Sequence, residues 1–179
     1  MTDHFIDRLA RLDDLGALHR VMIRSIAQLQ TEFLTPEQIA ASHTVMGLDS
    51  QLVRDGTYFL VECGERIAGC GGWSFRETLY GGDESIIQRE PAIVDPANGA
   101  AKIRAMYTDP DFTRRGIGAR IVKLCEEAAR SRGYRHIELM ATAAGVPLYE
   151  SCGYTPKTEL QLAQVDGVQV PLLQMQKML

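Results

Sequence analysis

Apolar and polar positions along this chain switch between a period of two and a period near 3.6, which predicts alternating strands and helices. Residues 4–12 read as a first strand. Asp13 or Asp14 then caps a helix whose apolar positions Leu15, Leu18, Met22 and Ile26 recur three or four apart. Thr35-Pro36-Glu37-Gln38 joins a Thr cap to Pro in the first turn and a Gln placed to close a capping box, opening a helix to about Met46. A short helical turn follows over 50–53, and a hairpin is predicted from 57–62 and 67–75 around the turn at 63–66. Residues 76–101, with Gly81, Gly82, Pro91, Pro96 and Gly99, show little periodicity, and so long a connection in a compact domain is usually functional or mobile. Beyond it lie a strand over 102–108, a helix over 116–132 stopped by Gly133, a strand over 135–140 and a short helix over 145–151. A closing hairpin, 154–162 and 168–175, turns at Asp166-Gly167.

The segment MYTDPDFTRRGIGA, Met106 to Ala119, carries the chemistry. A strand feeds a basic, glycine-containing turn, Arg114-Arg115-Gly116-Ile117-Gly118-Ala119, that opens a helix. Unpaired amides at a helix start carry the positive end of its dipole and form an anion site. Gly116 and Gly118 present no side chain to hold a phosphate away, and Arg114 and Arg115 add charge. A P-loop would need Lys-Ser or Lys-Thr after a glycine, and neither glycine has it. A dinucleotide fingerprint would need a third glycine where Ile121 stands, although Glu138 falls about where a ribose-binding acid would.

Strand, Pro-containing turn, Arg-Arg-Gly-Ile-Gly and helix together resemble motif A of the GNAT N-acetyltransferases. Val146-Pro147-Leu148-Tyr149-Glu150-Ser151-Cys152-Gly153-Tyr154 resembles the family's second signature. The likeness is specific over the middle and C-terminal half, and elsewhere follows the general layout. It implies an α/β (α+β) fold with a mixed, mostly antiparallel sheet of about six to seven strands and flanking helices. The sheet would split in a V between the fourth and fifth strands. It further implies that the loop Arg114 to Ala119 binds the pyrophosphate of acetyl-CoA and that the backbone of Met106, Tyr107 and Thr108 pairs with the pantetheine arm. Thr142, where the family often has Asn, is a further cofactor contact, and Thr113 replaces the family's usual Gln or Arg.

By the same resemblance the activity is acetyl transfer to a primary amine, with Tyr149 as general acid. A phenol with a pKa near 10 can protonate a leaving thiolate. No base stands out: the strand over 102–108 holds no carboxylate, and Glu32, Glu77, Glu84, Glu90 and His43 are candidates only by position. Trp73, Phe75 and Tyr80 form an aromatic wall beside the long connection or are ordinary core aromatics, and Arg104 points into the cleft or snorkels at a strand edge. A non-catalytic acyl-CoA sensor is the alternative function. The acceptor is open among small molecules, peptide N-termini and protein lysines.

Composition narrows the class. The chain of 179 residues suits a single domain over 1–179, with 45% hydrophobic and 23% charged residues. A formal net charge of −4 argues against a nucleic-acid partner. No apolar run reaches the ~20 residues of a membrane span, and MTDHFIDRLARLDD has no signal-peptide core. Cys63, Cys70, Cys125 and Cys152 lack metal-ligand spacing, so no metal is expected and a reducing cytoplasm is. The final hairpin or a strand edge offers a surface for a homodimer.

Overall fold

Among residues 4–179, which the computed structural model describes, five α-helices and eight strands follow one another in the predicted sequence. They are β1 (Phe5–Leu9), α1 (Leu15–Leu29), α2 (Pro36–Val45), α3 (Ser50–Arg54), β2 (Tyr58–Cys63), β3 (Arg66–Ser74), β4 (Ala101–Thr108), α4 (Ile117–Ser131), β5 (His136–Thr142), α5 (Val146–Ser151), β6 (Thr155–Pro156), β7 (Gln161–Val165) and β8 (Val168–Met178). The strands form one sheet in the order β1-β2-β3-β4-β5-β8, with β6 and β7 pairing β8 beyond it. Every pair is antiparallel except β4–β5. The mixed, mostly antiparallel sheet is therefore as expected, and the predicted strand over 154–162 is divided into β6 and β7, which brings the number to eight.

Side-chain alternation along β2 decides how the two faces are covered. Val61 joins the cluster beneath α4, with Ile117, Ile121, Val122 and Cys125. Tyr58 and Leu60 join the cluster beneath α1, with Leu18, Met22 and Ile26. α2 closes a smaller core against β7 and β8 through Ala41, Val45, Val165 and Val170.

The helix starts follow local chemistry. Thr35 Oγ1 accepts the Gln38 amide at 3.3 Å while Gln38 Oε1 accepts the Thr35 amide at 3.0 Å, the predicted reciprocal box. Asp14 precedes α1, but its side chain does not cap it. Its carboxylate accepts two hydrogen bonds from Arg8 and one from the Arg11 amide, tying β1 to the turn before the helix. The guanidinium of Arg8 holds the Asp14 carboxyl below the usual carboxylate range. At the closing turn, Asp166 and Gly167 both take positive φ, 46° and 83°, the backbone that a two-residue hairpin turn requires. The long connection is ordered against the rest, its Asp83 and Ile86 amides bonding the Leu48 and Thr44 carbonyls.

Candidate active site

The parallel pairing of β4 with β5 covers only Ala101–Ile137, Lys102–Glu138 and Ile103–Leu139. Beyond those three rungs the strands part, and a cavity of about 670 Å³ opens where they diverge. Met106, Tyr107 and Thr108 line it from β4, and Met140 and Thr142 from β5. The cavity lies within the usual range for small-molecule sites. Strand edges without a neighbour leave amides and carbonyls available to an amide-bearing ligand.

A β-bulge aims this part of β4. Register against β3 steps from Gly72–Arg104 to Cys70–Tyr107, so that Ala105 and Met106 together face Gly71. Ala105 takes φ 52°, a left-handed conformation rare for a residue with a Cβ. Gly71 leaves room for the bulge, since a Cβ there would lie 2.1 Å from the Met106 sulfur and force that side chain to move.

The helix start beyond β4 has the features of an anion site. Gly116 stands at the N-cap of α4 with φ 76°, no side chain caps the first turn, and that turn holds no acid. Asp109 fixes the approach, accepting Arg24 at 2.8 Å and the Asp111 amide at 2.9 Å. Arg114 and Gly118 line the cavity, and Arg114 is exposed. Arg115 instead lies over the Phe112 ring, 5.4 Å from its centroid. Ile117 is buried against β3, so only its backbone faces the anion site, and Ala119 is exposed on the outer side of the first turn. Gly118 has a second reason to be glycine: a Cβ there would meet Leu148 of α5 at 2.7 Å.

α5 presents Tyr149 to the same cavity. Its turn is fixed by Thr142, whose Oγ1 and carbonyl both accept the Gly145 amide, at 3.2 and 2.9 Å. The Tyr149 ring packs edge-on against Tyr154, and its hydroxyl has no hydrogen-bond partner among the described residues. Burial, followed by the nearby Cys125 and Cys152 thiols, pushes the phenol well above its ordinary pKa. It is therefore fully protonated at neutral pH. Tyr154 is a core residue, 2% exposed.

The opposite wall comes from the end of α1, the segment after α2 and the long connection, through Leu29, Phe33, Met46 and Tyr80. Of the carboxylates weighed as bases, only Glu32 lines this cavity, and it is the only carboxylate among the described lining residues. Glu77 lines a separate cavity, while Glu84, Glu90 and His43 line neither. Trp73 is core, 2% exposed and packed edge-on against Phe75 and Tyr134, and of the three aromatics weighed as a wall only Tyr80 lines the cavity. Arg104 does not snorkel. It is 4% exposed and donates to Asp49 and to the Gly81 carbonyl, each at 2.7 Å. Burial pulls its pKa below the usual arginine value, with Asp49 opposing that shift.

Glu138 is not placed for a ribose. It is buried on the paired part of β5, bonds Lys102 at 2.6 Å and also Lys157, and lines the second cavity rather than the one at α4. Residue patterns also gave no sign of the Ala105 bulge or of Tyr58, whose hydroxyl reaches it. The pair Gly71-Gly72 inside a strand was the available signal, since interior glycines mark bulges and close approaches.

The family model described as the acetyltransferase (GNAT) family matches residues 23–154. No curated protein matches the chain. Among solved structures, a GCN5-related N-acetyltransferase from Rhodopseudomonas palustris is similar at 17% identity and TM-score 0.69, covering 100% of this chain and 97% of that one. PaiA N-acetyltransferase from Thermoplasma acidophilum, in complex with coenzyme A, is similar at 13% identity and TM-score 0.62, covering 98% and 99%. The structure of yncA from Salmonella typhimurium with its cofactor acetyl-CoA is similar at 14% identity and TM-score 0.64, covering 98% and 94%. At these identities the likeness is one of fold.

Proposed function

The chain belongs to the acetyltransferase (GNAT) family, and from that premise we propose that it moves an acetyl group from acetyl-CoA to a primary amine, with Tyr149 as general acid. The observation that carries the reading is the meeting of three features around one cavity: an uncapped helix start, a parted strand edge and a buried, protonated phenol. Acetyl-CoA is the acyl donor of this family, and when bound it supplies a thioester carbonyl open to attack and a thiol as leaving group.

The first amides of α4 after Gly116, with the Arg114 guanidinium at the mouth, bind the pyrophosphate. The backbone of Met106, Tyr107 and Thr108 pairs with the pantetheine arm and orients it along the split, with Thr142 on the facing strand. An amide on the parted edge of β4 stabilises negative charge on the thioester oxygen. Tyr149 holds its proton at Oη and delivers it to the departing sulfur. Glu32 takes the proton of the attacking amine, being the carboxylate that the cavity offers.

Release of free CoA thiol in the presence of an amine panel tests the reading. Wild type should release thiol with at least one amine, and Tyr149→Phe should lower that rate ~10²-fold or more while binding acetyl-CoA as before. Thiol release at the parental rate by Tyr149→Phe would overturn the acid assignment. Binding of acetyl-CoA with no release for any amine would favour the sensor.

A further inference from the structure

The bulge in β4 does more than interrupt a ladder. It inserts one residue and so changes which face every later side chain takes. Ile103 belongs to the cluster beneath α4. With regular alternation Ala105 and Tyr107 would follow it there. Instead Met106 packs with the α4 cluster, while Ala105 and Tyr107 pack beneath α1. The direction of the cavity-lining stretch, Met106 to Thr108, therefore depends on one alanine held at φ 52°. Such a conformation is unfavourable for a residue with a Cβ and persists only where surrounding contacts enforce it.

Those contacts are identifiable. Tyr58, on β2 and 1% exposed, donates its hydroxyl to the Ala105 carbonyl at 2.6 Å. On either side of the bulge, Arg104 is bonded to Asp49 and to the Gly81 carbonyl, and the Tyr107 hydroxyl donates to the Gly47 carbonyl at 3.2 Å. The Arg104 and Tyr107 side chains reach segments outside the sheet. Tyr58 alone, among the described side chains, bonds the bulged residue itself.

We propose that Tyr58 is a positioning residue that latches the β4 bulge through the Ala105 carbonyl, and so sets the orientation of Met106 to Thr108 toward the acyl donor. The inference rests on the acetyl-CoA reading above for what is positioned, but not for the latch. Tyr58 touches neither the cavity nor any reacting atom, so it acts only through Ala105. Removing its hydroxyl leaves the Ala105 carbonyl without that partner and lets the strand relax toward regular alternation.

Two measurements on Tyr58→Phe, which keeps the ring and its packing, test this. Hydrogen exchange across 104–108 in the free protein should become faster, by about fivefold or more, as expected for loss of one buried hydrogen bond. The dissociation constant for acetyl-CoA, measured by calorimetry, should rise by a similar factor. Adding Ala105→Gly should bring both back toward wild type, because glycine adopts the bulge conformation without the Cβ penalty. Unchanged exchange would overturn the latch, whatever the ligand does. Faster exchange with an unchanged acetyl-CoA constant would overturn the positioning role. If wild type binds no acetyl-CoA at all, the functional reading fails, and faster exchange would then show a latch of purely structural consequence, against the proposal.

Discussion

Tyr149 is 7% exposed yet lines the cavity, and the burial that keeps it protonated also fixes its pH behaviour. Its folded pKa is raised by burial, so its proton is retained through the whole range below ~10, the ordinary phenol value. No loss of kcat assigned to Tyr149 should therefore occur as pH rises from 7 to 10. A kcat profile would contradict this with an alkaline limb below pH 10 that vanishes in Tyr149→Phe. Glu32→Gln should lower turnover by an order of magnitude or more while leaving the acetyl-CoA constant unchanged, and equal turnover would remove Glu32 as the base. Gly116 and Gly118 were both legible as loop glycines, but for one reason where two operate. Gly116 is needed for φ 76°, whereas Gly118 also admits Leu148. A bulky residue at 118 would thus disturb α5 and Tyr149 along with any phosphate. Gly116→Val is the cleaner probe: the strained φ should cost roughly 1–3 kcal/mol, read by urea denaturation, and should weaken CoA binding.

At the scale of elements, the cavity exists because the parallel β4–β5 pair stops after three rungs and β4 turns on a bulge just beyond them. The long segment 76–101 supports this from outside the sheet, since its Gly81 carbonyl accepts from Arg104 and its Arg89 donates to Asp49. The Arg104–Asp49 pair is 2–3% exposed on both sides, so removing one partner strands a buried charge. Asp49→Asn should destabilise the fold by about 3–5 kcal/mol, and a drop in melting temperature under a few degrees would show that the pair is less critical than its burial implies. Elements written in local patterns were legible: the Thr35–Gln38 box, the Asp166-Gly167 turn and the long amphipathic α4. Elements set by tertiary pairing were not. Asp14 looked like a cap but is claimed by Arg8, six residues earlier on β1. The bulge was signalled only indirectly, by Gly71-Gly72 on the neighbouring strand, because alanine carries no preference for positive φ and the hydroxyl that bonds it comes from the distant Tyr58.

Across the whole molecule, ion pairs knit segments distant in sequence, and they predict sensitivity to acid. Burial alone would raise the Glu138 carboxyl, but Lys102 and Lys157 outweigh it and hold the group below its usual range. Arg8 and Arg76 do the same for Asp14 and Asp55. Depressed carboxyls contribute stability that is fully present above their unfolded pKa values of about 4 and is lost as pH falls through the folded ones. The urea midpoint should stay level from about pH 5 to 8 and fall below about pH 4. Glu138→Gln should flatten that fall, and an unchanged acid limb would contradict the assignment. Among the described residues no helix is long and apolar enough to cross a membrane.

If the parted strands and the α4 start bind acetyl-CoA, the ligand must stabilise the fold. Thermal denaturation of the free protein with acetyl-CoA, CoA or NADH added separately tests it most directly. At about a hundred times its dissociation constant a ligand contributes ~2.7 kcal/mol, or roughly 5–10 °C for a chain of this size. Acetyl-CoA and CoA should each give a rise of that order, and NADH none. A rise with NADH alone, or no rise with either thioester or thiol at millimolar concentration, would contradict acetyl-CoA binding.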